Sequence, residues 1–220
     1  MFKFKGISNE AFKVIPVEEN FFSKAAILYE SVEIEGKDGA DYYELGYQPI
    51  EKDLELQMLD TSLIDEIMAW LNGSGMLEYE GRVTNARFYS SYDVDRFVTL
   101  KKANVSYIRD PFWTPAIDVY EVVTTNAYNT GNIYSFPMIK LTGTGTVDIT
   151  VNNVRLTYTF NGEPYVEIDC ESGKEKYNGL SRSRQLSIGM DYPKLNPGVN
   201  IVTLHSGTCT IEMKRKDRWL

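Results

Sequence analysis

Only a few side chains in this sequence are of types that commonly do chemistry, and the lone histidine is the first of them. His205 follows Leu204 and precedes Ser206-Gly207, and no Gly-x-Ser-x-Gly elbow accompanies it. Strand alternation places its ring on a polar face, opposite Thr208 across a predicted turn. We therefore interpret His205 as an exposed histidine and not as a general base. One histidine also excludes a site built from several.

The two cysteines lie in apolar patterns. Cys170 shares a strand face with Ile168, and Cys209 shares one with Ile211. This placement predicts buried structural thiols and not nucleophiles. Two cysteines are too few for a disulfide framework or a cysteine-based zinc site, and a disulfide between them stays open from sequence.

Three carboxylates alternate along one predicted strand, at Glu167, Asp169 and Glu171. Neighbours on one strand face are roughly 6.5–7 Å apart, which is within reach of a paired-carboxylate glycosidase. A solvated strand face has the same pattern, and we favour that interpretation. No EF-hand spacing is present, and Gly143-Thr144-Gly145 lacks the lysine of a phosphate-binding loop, so it predicts a β-turn or bulge. We predict no catalytic, cofactor-binding or metal-binding residue, and no cofactor.

Composition describes the protein that these residues belong to. The 220 residues are 43% hydrophobic and 25% charged, which predicts a folded chain rich in β-forming aromatic and branched residues. A net charge of -8 disfavours a reader of nucleic acid. No apolar run approaches the roughly 20 residues that span a bilayer, so we expect no membrane insertion and folding in a reducing cytoplasm.

In the first half of the chain, the pattern predicts short strands and one helix. Phe2 and Phe4 alternate with lysines in an opening strand, and another strand covers residues 26–35. Residues 36–50 predict a turn and a projecting arm, with candidate interface tyrosines at Tyr42, Tyr43 and Tyr47. A single apolar stripe predicts a helix over residues 62–72, with N-cap candidates at 60–62 and a stop at Gly73.

Further strands are expected in residues 81–100, where the apolar positions include Val94, Phe97 and Val98. Two prolines within residues 110–115 then predict an interruption of regular structure and a domain boundary. The domains are expected at residues 1–115 and 116–220.

The second half predicts a β-sandwich or barrel. Strands are expected on both sides of the Asn152-Asn153 turn and of Asn161-Gly162, giving a meander of four consecutive strands. Near the end, Ser206-Gly207 predicts a two-residue hairpin that pairs Leu204 with Cys209. The basic residues 214–216 with Arg218 are compatible either with an acidic patch on a partner or with a solvated terminus.

The order of these motifs resembles the distal tail protein (Dit) family of long-tailed, flexible-tailed bacteriophages over nearly the whole chain. The resemblance rests on a series of short segments: residues 4–8, 64–67, 70–75, 110–113, 134–139 with 143–145, 168–170, 195–200, 206–207 and 218–220. None is specific alone, and their order along one chain carries the resemblance.

The resemblance implies a mainly β fold, with an N-terminal ring-forming belt domain that carries one helix and a C-terminal galectin-like β-sandwich. It implies a hexameric hub of the tail tip or baseplate that joins the tail tube protein to a tail-associated fibre or lysin protein. Such a hub also anchors receptor-binding proteins in some phages, and DNA passes through its channel. Assembly in the bacterial cytoplasm and a final place at the virion tail tip are implied as well.

Two other functions stay open from sequence. One is a carbohydrate-binding sandwich that recognises a cell-wall saccharide, although we assign Trp113 to the domain junction and the candidate interface residue Trp219 to the terminus and not to a sugar platform. The other is a glycoside hydrolase that uses the carboxylates of residues 167–171. We favour a non-catalytic protein that works through surfaces.

Overall fold

The computed structural model describes residues 1–18, 20–91, 98–189 and 191–220. The chain divides into two compact units, one formed by residues 1–116 together with Leu220 and the other by Ile117–Trp219. Both are built mainly of antiparallel strands, so the predicted mainly β class with a helix in the N-terminal part is confirmed. In these ranges no helix has the length and apolar character needed to cross a membrane.

The elements of the first unit are β1 (Phe2–Phe4), β2 (Ile7–Ser8), β3 (Val14–Pro16), β4 (Ile27–Glu33), β5 (Ala40–Tyr47), β6 (Ile50–Met58), α1 (Ile64–Trp70), β7 (Gly73–Tyr79), β8 (Arg82–Phe88), β9 (Lys102–Arg109) and β10 (Thr114–Pro115). Short 3-10 helices cover Asn9–Phe12 and Thr61–Leu63. The main sheet has the order β2-β1-β7-β8-β9-β6-β3, and β10 pairs with β8. Among the described strands, β4 and β5 pair with each other and with no other strand.

Aromatic rings fill the core of the first unit. The opening strand buries Phe2 and Phe4 and breaks at Gly6, which has a φ of +78°, as its alternation predicted. Phe2 stacks on Trp70 with ring centroids 5.6 Å apart, and the indole nitrogen of Trp70 donates to the Phe4 carbonyl at 2.8 Å. Helix α1 is thereby fixed to the first strand by one aromatic pair and one buried hydrogen bond.

The predicted helix over 62–72 is present but shorter. Asp60 accepts a hydrogen bond from the amide of Ser62, and the chain passes through a 3-10 turn before α1 begins at Ile64. The helix ends at Trp70, and Gly73, with a φ of +76°, starts β7. The first turn carries Asp65 and Glu66, which complement the helix dipole.

Two predictions for the middle of the chain need correction. Residues 98–100, where a strand was expected at Val98, are helical, while Val94 and Phe97 lie outside the described residues. The segment with two prolines interrupts regular structure at residues 110–112, as predicted, but Thr114 and Pro115 then pair with Val83 and Arg82 at the edge of the sheet. Proline is tolerated there because an edge strand needs no second set of ladder donors.

The strands of the second unit are β11 (Glu121–Val122), β12 (Asn126–Asn129), β13 (Met138–Val151), β14 (Val154–Thr159), β15 (Tyr165–Asp169), β16 (Lys174–Tyr177), β17 (Leu180–Ser181), β18 (Leu186–Ile188) and β19 (Gly198–Lys214). The long strands β13 and β19 pair along almost their whole length. On its other edge, β13 pairs with β15 through residues 138–142 and with β14 through residues 146–151. One apolar core receives side chains from all four strands.

The predicted meander is wrong because β14 and β15 do not pair with each other. They follow one another along the same edge of β13, and Asn161-Gly162 lies in the interruption between them. The amide of Phe160 donates to the carbonyl of Gly145, and the amide of Gly143 donates to the carbonyl of Pro164, so the long hairpin continues past the break. The Asn152-Asn153 turn between β13 and β14 is present as predicted.

The predicted terminal hairpin is also wrong. Ser206-Gly207 lies inside the continuous strand β19, where the register with β13 shifts between Thr144 and Asp148. Leu204 lies opposite Ile149, and Cys209 lies opposite Gly143. Gly207 has a φ of +84°, so the positive φ that suggested a turn serves a bulge instead.

This bulge gives a stability prediction. A Cβ at Gly207 would lie 2.4 Å from the backbone oxygen of Thr146, whereas a Cβ at Gly145, with a similar φ of +70°, would meet nothing within 4 Å. Gly145→Ala should destabilise the second unit by roughly 1–2 kcal/mol through its left-handed backbone. Gly207→Ala should cost more, because the β13–β19 pair must also separate. The free energy of unfolding of both variants is measured by urea titration, with hydrogen exchange of residues 138–214 to locate the change. Equal losses of stability in the two variants would contradict the bulge geometry.

Candidate assembly surface

His205 lies on the solvent-facing side of β19, as predicted, but in a different setting. Its Nε2 atom is 2.6 Å from the hydroxyl oxygen of Thr150 on β13, and it does not face Thr208 across a turn. Asp148, on the same strand as Thr150, is held by the guanidinium of Arg155, whose hydrogen bonds lower the pKa of that carboxyl. The histidine is therefore part of a polar sheet surface.

Both cysteines are free thiols. Cys170 is buried in the core of the second unit, and burial raises the pKa of its thiol. Cys209 is half-buried, and burial raises its thiol pKa too. A thiol with a raised pKa carries little thiolate at neutral pH, so neither group is prepared for nucleophilic attack.

The three alternating carboxylates are engaged by neighbours within their own unit. Glu167 accepts from the hydroxyl of Tyr120 at 2.7 Å, while Asp169 accepts from Ser172 and from Lys216. Burial acts to raise the pKa of Asp169, but the hydrogen bond from Ser172 and the charge of Lys216 hold it below its usual range. Glu171 pairs with Lys216 and with Arg218. Asp169 and Glu171 thus form part of an ion-pair network, and Glu167 is hydrogen-bonded to a tyrosine, so the three are not a free acid and base.

That network also decides between the two readings of the basic C-terminal residues. Lys216 and Arg218 bind Asp169 and Glu171, and Arg215 lies 3.4 Å from Glu121. The charges are therefore used inside the second unit instead of being free for a partner's acidic patch. Trp219, the candidate interface residue at this terminus, is partly exposed. In the ranges that the structure describes, no cluster of three or more His, Cys, Asp or Glu side chains is arranged to hold a metal ion.

The first unit carries a two-stranded arm, which we define as residues 27–47. It comprises β4, β5 and the turn between them, in which Gly36 and Gly39 have φ values of +82° and +83°. Every residue of β4 is exposed. An isolated two-stranded hairpin is at best marginally stable in water, so an arm of this kind is expected to gain stability from a covering surface.

The cross-strand register distributes the arm's tyrosines over both faces. Tyr42 lies opposite Ser31, and Tyr43 lies opposite Glu30. Because successive side chains of a strand alternate, Tyr42 and Tyr43 point to opposite faces, and they are 67% and 56% exposed. Tyr42 also contacts Tyr29 edge-to-face, with ring centroids 5.5 Å apart. Tyr47 instead packs against Phe112 at the base of the arm, at 5.1 Å.

Apolar exposure continues along the arm. Its other exposed large apolar side chains are Ile27, Leu28, Val32, Ile34 and Leu45. An open groove of about 640 Å³ lies beside the Tyr29 and Tyr42 face and is lined also by Lys24, Ala25, Ala26, Ile27 and Glu44. A contiguous apolar surface of this kind typically marks a site of protein association.

The arm is also acidic. Six of its residues are Asp or Glu and one is lysine. That lysine, Lys37, pairs with Asp41, which leaves five acidic residues without a basic partner on the arm. A surface that combines tyrosines with one sign of charge favours a partner that offers apolar pockets rimmed by basic groups.

The sequence pattern predicted only the second strand of the arm and the turn before it. The predicted arm began at residue 36, whereas the structure adds all of β4 to it. The sequence pattern of Ile27, Tyr29, Val32 and Ile34 did predict a strand at this place. An ordinary strand of the main sheet has the same pattern, so alternation alone does not show that β4 leaves the sheet.

Comparisons with known proteins agree with this architecture. Residues 130–219 match the family model of the siphovirus-type tail component, C-terminal domain. The solved Dit protein of phage SPP1, described as a paradigm of the hub adsorption apparatus in phages that infect Gram-positive bacteria, is similar in fold. Its TM-score is 0.72 at 13% identity, and the match covers 100% of this chain and 98% of that one.

Two structures of the phage P2 baseplate in its activated conformation, with Ca and with Sr, also match. Their TM-scores are 0.43 and 0.46 at 8% and 9% identity, over 94% of this chain and 92% of theirs. No sequence among the curated proteins matches.

Residues 130–219 thus match a model of phage tail components, and the fold of the chain is that of the SPP1 Dit protein. These two findings confirm the resemblance to the distal tail protein family.

If the tyrosines of the arm serve association, they should matter little for the folding of one chain. Tyr42→Ala and Tyr43→Ala should each change the free energy of unfolding by about 0.5 kcal/mol or less, because both side chains are exposed. Trp113→Ala should cost about 3–5 kcal/mol, since this ring is fully buried against Phe22 and Arg109. Urea titration at a low protein concentration compares the three, and a large loss for Tyr42→Ala would assign that ring to folding.

Proposed function

We propose that this protein is the hub of a siphophage tail tip, in which six copies close head-to-tail into a ring. The hub joins the tail tube protein to a tail-associated fibre or lysin protein and offers an attachment place for receptor-binding proteins. The observation that carries the hub role is the family match over residues 130–219. The fold shared with the SPP1 Dit protein along the whole chain supports it.

The arm supports the ring. A closed ring of identical subunits needs two different surfaces on each subunit, because the same contact repeats in one direction. An isolated hairpin with both edges unpaired and apolar side chains on both faces is suited to one side of such a contact. We assign the arm to the ring interface, with Tyr42 in the contact and Tyr47 at the base of the arm.

The charge distribution supports a channel for passing DNA. Residues 1–116 hold twenty Asp and Glu against twelve Lys and Arg, while residues 117–220 hold eleven of each. The net charge of -8 thus belongs to the part assigned to the ring. An acidic ring repels phosphates, so DNA slides through it without adhering. A lumen lined by lysine and arginine in the assembled ring would contradict this assignment.

Native mass spectrometry of the full chain tests the ring. The expected species contains six copies of the 25.1-kDa chain, in equilibrium with the monomer at low concentration. A chain with both Tyr42→Asp and Tyr43→Asp should lose the six-copy species while its circular dichroism stays unchanged, because each aspartate brings a charge that must be desolvated on docking. A strict monomer of the unaltered chain up to millimolar concentration would contradict the proposed function.

A further inference from the structure

A second exposed apolar surface on the first unit lies at the outer edge of its main sheet. We define the corner as Met1, Val14, Ile15, Pro16 and Leu59, which line a groove of about 390 Å³. Met1, Ile15 and Leu59 are 57%, 46% and 53% exposed. Asn9, Glu10 and Lys13 complete the groove wall.

The corner is a preformed surface. Buried Asn9 accepts from the amide of Phe2 at 2.9 Å and donates to the carbonyl of Val14 at 2.7 Å. The amide of Leu59 donates to the carbonyl of Lys13, so both walls of the groove are fixed by backbone hydrogen bonds. A rigid apolar groove binds with little cost in conformational entropy.

The corner is unsuited to adding another strand. Strand β3 pairs with β6 on one side, and across the described ranges it has no strand on the other. On that free side the carbonyl of Val14 is occupied by Asn9, and Pro16 has no amide hydrogen. Backbone pairing is thus blocked, and side chains are what the groove can receive.

The arm of a second copy has the side chains and the charge that fit the corner. Its groove face combines Tyr29, Tyr42 and Ile27, whereas on the opposite face Tyr43 lies across from Glu30. Beside the corner, the carbonyl of the exposed residue Lys101 accepts a hydrogen bond from the Met58 amide, and Lys13 pairs with Asp60 while staying largely exposed. These two lysines are opposite in charge to Glu44, which lines the groove of the arm, although Glu10 lies in the wall of the corner.

We infer that the arm of one protomer docks its Tyr29 and Tyr42 face onto the corner of the next protomer, with Ile15 and Leu59 entering the arm's groove. The inference rests on the proposed ring, and it names the two surfaces that meet. The contact is heterologous, because arm and corner are different parts of the chain.

Mixing two defective chains tests the pairing. Tyr42→Asp places a charge on the contact face of the arm and leaves the corner unchanged. Leu59→Asp places a charge on the corner and leaves the arm unchanged. Each variant alone should be monomeric by native mass spectrometry. An equimolar mixture should form a one-to-one heterodimer and nothing larger, because only one arm and one corner remain functional in each pair.

Two controls locate the effect. Val199→Asp replaces an exposed apolar residue of the second unit and should keep the six-copy species. Tyr43→Asp lies on the other face of the arm. It should lower the association constant of the ring by a factor at least ten times smaller than Tyr42→Asp does. Circular dichroism and the unfolding midpoint of each variant should match those of the unaltered chain.

The outcomes separate the two proposals. If the unaltered chain forms no ring, the proposed function fails. If it forms the ring and Leu59→Asp forms it equally well, or if the mixture stays monomeric, only the arm-to-corner pairing is overturned. Loss of the ring in Val199→Asp would move the contact to the second unit and overturn the pairing as well.

Discussion

The second unit depends on the pairing of β13 with β19. These strands run antiparallel from Met138 and Lys214 to Val151 and Val202. The other described strands of the unit attach to them directly or through β14, β15 and β16. A pair this long is able to serve one core only because it changes register between Thr144 and Asp148. Gly207 makes that change possible, since it adopts a positive φ and lies too close to the Thr146 carbonyl for any side chain.

The first unit depends instead on the packing of aromatic side chains in its core. Its strands are shorter, and the rings of Phe2, Phe4, Trp70 and Phe88 fill the space beneath them. Buried Arg109 donates to the carbonyls of Ser23 and Asp110 and lies over the ring of Trp113, which connects three separate segments. A closed core of this kind leaves the β4–β5 arm outside it. The arm is therefore available for association because nothing in the core requires its side chains.

The described surface of this protein separates polar groups that have partners from apolar groups that are exposed. The polar groups that suggested chemistry are engaged: Glu167 by Tyr120, Asp169 and Glu171 by the C-terminal cations, and His205 by Thr150. The apolar groups that suggest association are exposed on the arm and at the corner. This contrast between hydrogen-bonded polar groups and exposed apolar groups is the observation on which the proposed assembly role rests.

Local pattern in the sequence was sufficient for the β class, for α1, for the opening strand and for the burial of Cys170, because each depends on residues close together in the chain. The choice of strand partners was decided by the tertiary structure. Ser206-Gly207 and Asn161-Gly162 have the residues of hairpin turns, yet the first lies in a β-bulge and the second in the interruption between two strands. A glycine with a positive φ suits a turn, a bulge and an interruption alike, so the residue type does not choose among them. Alternation in residues 27–34 likewise predicted a strand, and only the three-dimensional pairing showed that this strand leaves the core and forms half of the arm.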